Sequence, residues 1–379
     1  MIKSVLIDLD NTLIQNDDRL FAVEFAHQLR NFGQTHYDVQ ELDVIFRDAI
    51  KRIRAECVPD QTIHERLNHY TSTVTGIDPA QIADLYQTFY DTIPLAEFTT
   101  PLDGARQFIE CLLEGGYEVV IATNPMYPRQ FAIQRLMQGG LASYIEHISF
   151  ITHAENMHFL KPSVCYYSEL IARLGLEPDE VVMIGDRNDN DIYPAQAISI
   201  TSYLYQDQAS YQTIYTAIKN CLAPALTLSP SMIFPQYHGN IAGLFGVIKD
   251  AKPHYWDQQS IPNEWSPRQI LGHLIDSEIN VQRKRILTIL NEDNPFLVQA
   301  APPTTIDDQT SDGFALAQRW AKLRHETMHI LDQLSSEEWE RPARHSIFGA
   351  TTLVEMAQFT AQHDRLHIKQ LCQTIGQCV

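Results

Sequence analysis

The sequence predicts an α/β domain followed by an all-α domain. Two observations carry this. Between about residues 100 and 205, short apolar runs that end in polar loops alternate with amphipathic helical stretches. Beyond a stretch with prolines at 224, 230 and 235, strand signals vanish and four long amphipathic segments remain. At 379 residues the chain is also long enough for two domains.

The first element is Val5 to Ile7, an apolar run that reads as a buried strand and breaks into Asp8-Leu9-Asp10-Asn11-Thr12. Residues from about 17 to 93 then read as four helices without a strand, a compact insertion placed where a lid could sit. Asp17 and Asp18 cap the first, with Leu20, Val23, Phe25, Ala26 and Leu29 as its apolar face. Leu42, Ile45, Phe46, Ala49, Ile50 and Ile53 mark the second, Ile63 to Val74 the third, and Asp78-Pro79 opens a fourth that Pro94 closes.

After that, helix and strand alternate. Pro101 to Glu114, Arg129 to Met137 and Ser163 to Leu174 are helical, while Glu118 to Ala122, Ile148 to Ile151, Val181 to Ile184 and Ser199 to Tyr205 are strands. Such alternation implies a Rossmann-like, doubly wound parallel sheet with ligands at the carboxyl ends of its strands. The domain boundaries are a core of 1–16 and 95–220, a helical cap of 17–94, a linker of 221–237 and a four-helix bundle of 238–379. Its helices fall at about 238–252, 266–292, 312–334 and 351–376, with connections at Pro253, Pro262, Pro302-Pro303 and Pro342.

A formal charge of −19 argues against nucleic acid or an anionic membrane as the partner. It suits a cation-dependent site for a small phosphorylated metabolite. The acidity sits in the first half, with 30 acidic against 15 basic residues before residue 235. The six cysteines are scattered, no basic apolar leader opens the chain, and no apolar run reaches the roughly 18 residues a membrane span needs. A cytoplasmic setting is expected.

Asp8 and Asp10 fall on one side of the chain as the first strand ends, and two like charges there call for a cation or a shared proton. Three later strand ends add to them: Thr123-Asn124, which could hold a phosphate oxygen; Lys161-Pro162, a cation before a rigid turn; and Gly185-Asp186-Arg187-Asn188-Asp189-Asn190-Asp191, rich in hard oxygen ligands. Each alone is an ordinary turn, but the four at successive strand ends are not.

Over residues 1–215 this order of motifs resembles the haloacid dehalogenase (HAD) superfamily, and the insertion looks like that superfamily's helical cap. The run Ala122 to Pro128 is similar to a subgroup of uncharacterised phosphatases. The resemblance implies that Asp8 attacks phosphorus and that Asp10 protonates the leaving alcohol, then activates water. It further implies Mg²⁺ on Asp8, the Asp10 carbonyl and Asp186 with Asp191 close behind, and phosphoryl binding by Thr123, Asn124 and Lys161. Asp189 or Asp191 could supply the second acidic role, and the spacing to Asp191 fits the pattern better. An acid at Asp10 favours phosphoester hydrolysis over dehalogenation, because halide leaves without a proton.

In the second half His363 and His367 lie four apart on one helix face, the spacing of two imidazoles on one metal. His325 and His329 share that spacing. With Glu264 to Leu274 and the closing His363-Asp364-Arg365-Leu366-His367-Ile368-Lys369-Gln370-Leu371, residues 236–379 resemble the DinB family of metal-binding bundles. The resemblance implies a three-imidazole site of His273, His363 and His367 holding Zn²⁺ or Ni²⁺, and leaves His325 and His329 out. Some relatives are thiol transferases. A metal-dependent thiol S-transferase, a non-catalytic metal or assembly module, and a homodimer through the bundle all stay open.

Overall fold

The computed structural model of the chain describes residues 1–92, 98–220, 228–249, 251–259, 264–298 and 312–376. Pro94, Pro224, Pro262 and Pro302-Pro303, expected to end or join helices, lie outside them. The chain divides into one unit of Met1–Tyr167 with Pro178–Ala225 and another of Ser168–Glu177 with Leu226–Val379.

The first unit is built on a five-stranded sheet. Its strands are β1 (Ser4–Ile7), β4 (Glu118–Ile121), β5 (Ile148–Ile151), β6 (Val181–Gly185) and β7 (Thr201–Leu204), in the order β5-β4-β1-β6-β7 with every pairing parallel. Helices α5 (Ala105–Glu114), α6 (Arg129–Gln138), α8 (Tyr193–Gln196) and α9 (Gln208–Asn220) connect or follow the strands, as does α7 (Val164–Leu174), which is divided between the two units at Ser168. Parallel strands need such crossovers and are apolar throughout because both faces are covered. Val5, Leu6, Ile7, Val119, Val120, Ile121, Val182, Met183 and Ile184 are all fully buried. The α5 helix starts at Ala105 rather than Pro101, because Thr99–Pro101 is a strand, β3, antiparallel to β2 (Ile14–Asn16). The two strands of that ribbon flank the insertion, whose described residues hold no strand, as expected.

The insertion is α1 (Asp18–Tyr37), α2 (Leu42–Ala55), α3 (Ile63–Thr75) and α4 (Pro79–Thr92). Asp17 caps α1 by accepting from the backbone N–H groups of Arg19 and Leu20, and Thr62 with Glu65 closes a capping box on α3. The buried stripe of α1 is Phe21, Phe25, Leu29 and Phe32, whereas Leu20 and Val23 are exposed, so the expected face was turned by about one residue. The aromatic residues decide it: Phe21 and Phe25 pack on Tyr127, and Phe25 on Phe46 and Phe89.

The second unit carries α10 (Ile233–Ile248), α11 (Pro267–Ser277), α12 (Arg283–Asn291), α13 (Gly313–Asp332), a short α14 (Ser336–Trp339) and α15 (Leu353–Gly376). One wide turn at Glu278–Gln282, with the backbone bonding of a π-helix, joins α11 to α12. The bundle starts inside the expected linker, since Pro235 falls in the first turn of α10, where its missing N–H costs nothing. Strands do not vanish here either. Phe296–Leu297 (β8), Pro342–His345 (β9) and Gly349–Thr352 (β10) form a small sheet that two- to four-residue runs were too short to announce. Buried polar groups register the helices: Gln236 pairs with Gln358, and the Asn240 amide donates to the Ala361 carbonyl. No described helix is long and apolar enough to cross a membrane.

Candidate active site and metal centre

Sheet register assembles the first site. Ile7 is level with Ile121 on one side and Ile184 on the other, so Asp8, Ala122-Thr123 and Gly185-Asp186 leave the sheet in one row. The Asp8 N–H donates to the Ile184 carbonyl at 2.8 Å, holding the turn down. Lys161 is fully buried and its Nζ lies 2.8 Å from Asp8 and 2.6 Å from Asp191. One oxygen each of Asp8, Asp186 and Asp191 falls within 4.8 Å of the others.

Three carboxylates against one ammonium leave negative charge in a sheltered place. Burial first, with the charge on Asp191 adding to it, pushes Asp8 up to about 7 and Asp186 up to about 6. Lys161 goes well above its ordinary value because Asp191 and Asp8 outweigh the burial that alone would lower it. The donor set therefore fits a hard divalent cation, which would relieve this charge. Gly185 is required by the same geometry, since a Cβ there would stand 2.4 Å from the Asp191 carboxyl carbon.

Asp191, not Asp189, belongs to the cluster. Its second oxygen accepts from the Arg187 N–H at 3.1 Å, whereas Asp189 is exposed and pairs with the Arg187 guanidinium. Asn124 accepts from the Lys161 backbone N–H at 3.3 Å and lines the site. Thr123 leaves the sheet in the same row, is buried, and has its carbonyl held by the hydroxyls of Thr152 and Tyr166. Asp10 faces the cavity and is gripped through both oxygens by Arg135, which is buried on α6. Sequence reasoning missed Arg135. Its signal was a charge at a buried position of a helix whose Phe131, Ala132 and Leu136 are also buried. The cavity measures about 510 Å³ and is lined from the insertion by Asp18, Phe21, Ala22 and Arg54.

The second site draws His273 from α11 and His363 and His367 from α15, with ligand nitrogens within 4.8 Å of one another. The Nε2 atoms of His273 and His363 are 3.3 Å apart. His367 Nδ1 is 3.0 Å from the Gln370 side-chain oxygen, and the Gln370 amide donates to Glu264 at 2.9 Å, so Nε2 of His367 is free to face the other rings. Burial, then the two neighbouring imidazoles, push His367 down to about 4, which keeps it a neutral donor. Trp265 stacks on His367 and covers His273. Three converging imidazoles fit a transition metal. His325 and His329 stand on α13, outside this cluster. Glu264 and Gln370 lie within the two stretches that carried the resemblance, but nothing in the sequence paired them with each other.

A doubly wound parallel sheet with a carboxylate–lysine cluster at its strand ends, below a helical cap, defines a class of hydrolytic enzymes. The chain belongs to the haloacid dehalogenase-like hydrolases, whose family model matches residues 5–204. Residues 236–371 match the model of the DinB superfamily. Among curated proteins the chain is similar to a ribulose-1,5-bisphosphate 5-phosphatase of Halopiger xanaduensis, at 26% identity over 54% of this chain and 85% of that one. It is also similar to the pyrimidine 5'-nucleotidase PynA of Streptococcus pneumoniae, at 26% identity over 58% and 94%. Among solved structures, YfiT from Bacillus subtilis, described as a probable metal-dependent hydrolase with an unusual four-helix bundle topology, matches with TM-score 0.34 and 20% identity over 41% of this chain and 94% of its own.

Proposed function

We propose that the first unit hydrolyses a small phosphomonoester with Mg²⁺ through an aspartyl-phosphate. The observation that carries this reading is the Asp8–Lys161–Asp191 contact beside Asp186 at the strand ends. Asp8 is the nucleophile: one carboxylate oxygen bonds to phosphorus as the bond to the alcohol oxygen breaks, and the alkoxide takes a proton from Asp10. Water then gives a proton to Asp10 and its oxygen displaces Asp8 from phosphorus, releasing phosphate. Asp10 needs its two protonation states in turn, and Arg135 holds its carboxyl in place through both oxygens. Lys161 offsets the charge on nucleophile and phosphoryl oxygens, and Asn124 fixes the Lys161 backbone. Mg²⁺, held by Asp8 and Asp186 and oriented by Asp191, would supply further charge neutralisation at the phosphoryl group. The names of two relatives, a bisphosphate 5-phosphatase and a 5'-nucleotidase, support the same chemistry.

The test is phosphate release from a broad phosphomonoester panel with Mg²⁺. Wild type should turn over at least one member, and Asp8→Asn should lose about a thousandfold or more. No turnover of any member, or full activity in Asp8→Asn, overturns the reading. For the bundle we propose a transition-metal site on His273, His363 and His367. Its reaction, thiol transfer or none, is decided by whether metal-loaded protein conjugates a low-molecular-weight thiol and His363→Ala does not.

A further inference from the structure

The cavity over Asp8 holds a feature that the phosphoryl chemistry does not use. Four cationic side chains line it: Lys161, Arg135, Arg187 and Arg54. Three have carboxylate partners, Lys161 in Asp8 and Asp191, Arg135 in Asp10 and Arg187 in Asp189. Arg54, in the last turn of α2, has no acidic or hydrogen-bonding partner among the described residues, although its neighbour Arg52 pairs with Glu56.

Tyr127 lines the same cavity and its hydroxyl makes no hydrogen bond among the described residues. Its ring is fixed by Phe21, Phe25, Phe46 and Phe131. Arg54 comes from the helical insertion and Asp8 from the sheet, so the two charges belong to different walls of one cavity. At about 510 Å³ that cavity is several times larger than a phosphate group needs.

We propose that Arg54, with the Tyr127 hydroxyl beside the same cavity, receives a second anionic group on the substrate, a carboxylate or another phosphoryl group. The substrate class is thus a phosphomonoester that carries a further anion away from the scissile phosphate. The inference rests on the phosphatase reading of the Asp8 site. Arginine suits the task because its planar fork meets either anion through two parallel hydrogen bonds, and a hydroxyl adds a third donor.

The test uses matched linear probes at two chain lengths, three and six carbons: an alkyl phosphate, its ω-carboxylate and its ω-phosphate. The readout is the ratio of kcat/KM for each doubly anionic probe to that for the alkyl phosphate, beyond the statistical factor of two for the bisphosphate. In wild type the ratio should reach roughly ten- to a hundredfold at one chain length, the range of a charge-assisted hydrogen bond. It should collapse in Arg54→Ala, chiefly through KM, fall less in Tyr127→Phe, and recover in part in Arg54→Lys. The carboxylate and phosphate arms tell which anion is preferred. Arg54 is exposed, so its variants should fold, and thermal melts check this. If wild type hydrolyses the alkyl phosphates without preferring either anion, or Arg54→Ala keeps the preference, the phosphatase reading stands and this inference falls. If wild type hydrolyses none of the probes or the phosphomonoester panel, both fall together.

Discussion

Asp8 sits in a charge balance that its neighbours leave negative: Asp186 and Asp191 face it, and Lys161 bonds Asp8 and Asp191. Burial and Asp191 hold its proton up to about 7, far above the roughly 3.9 of an aspartate in an unfolded chain. A carboxyl raised on folding binds its proton more tightly in the native state, so metal-free stability falls as pH climbs from about 4 through about 7. Asparagine at this position has no proton to lose. In chelator, the melting temperature of Asp8→Asn minus that of wild type should therefore grow between pH 5 and pH 7.5, and saturating Mg²⁺ at pH 7.5 should shrink it. A difference that stays flat with pH would mean that the carboxylates do not strain one another. Lys161 is the complement: truncating it leaves two buried carboxylates unanswered, so Lys161→Ala should cost about 3–5 kcal/mol in metal-free denaturant melts. A loss below about 1 kcal/mol would count against the pairing.

The turn from β6 into α8 shows how an element sets a site. Val181 to Ile184 are buried on both faces, the chain leaves at Gly185, and the 188–192 turn folds Asp191 back to Lys161, with the Tyr167 hydroxyl donating to the Asn190 carbonyl. Because a Cβ on Gly185 would collide with the Asp191 carboxyl, Gly185→Ala should displace that carboxylate. We expect the apparent Mg²⁺ requirement to rise and kcat/KM to fall by about tenfold or more, with little change in fold by circular dichroism. Unchanged Mg²⁺ dependence would separate Asp191 from the cation. This turn was legible in the sequence because apolar runs, glycine and acidic residues are local signals, and so were the sheet, the insertion and the three histidines. Arg135 was not, because its reason for being buried is Asp10, 125 residues away. Nor were the partners of the Thr123 carbonyl, the hydroxyls of Thr152 and Tyr166, because they stand 29 and 43 residues further on. The β8–β10 sheet was missed because period-2 patterning needs more than the two to four residues each strand has.

Across the whole chain the two centres differ in kind. One offers carboxylate oxygens among acidic residues, the other imidazole nitrogens under a tryptophan. Hard oxygen sites hold Mg²⁺ loosely and keep its waters, whereas three neutral nitrogens favour a late transition metal by orders of magnitude. Protein passed through a desalting column should therefore arrive without Mg²⁺ but with about one transition-metal ion per chain, a stoichiometry that metal analysis by mass spectrometry measures. His363→Ala should lose that ion and Asp8→Asn should keep it. With Mg²⁺ restored, His363→Ala should still release phosphate at the wild-type rate, because the proposed phosphoryl transfer uses no imidazole of the second centre. If phosphate release instead falls in proportion to transition-metal content, the hydrolysis belongs to the histidine centre, and the assignment of the reaction to Asp8 fails with it.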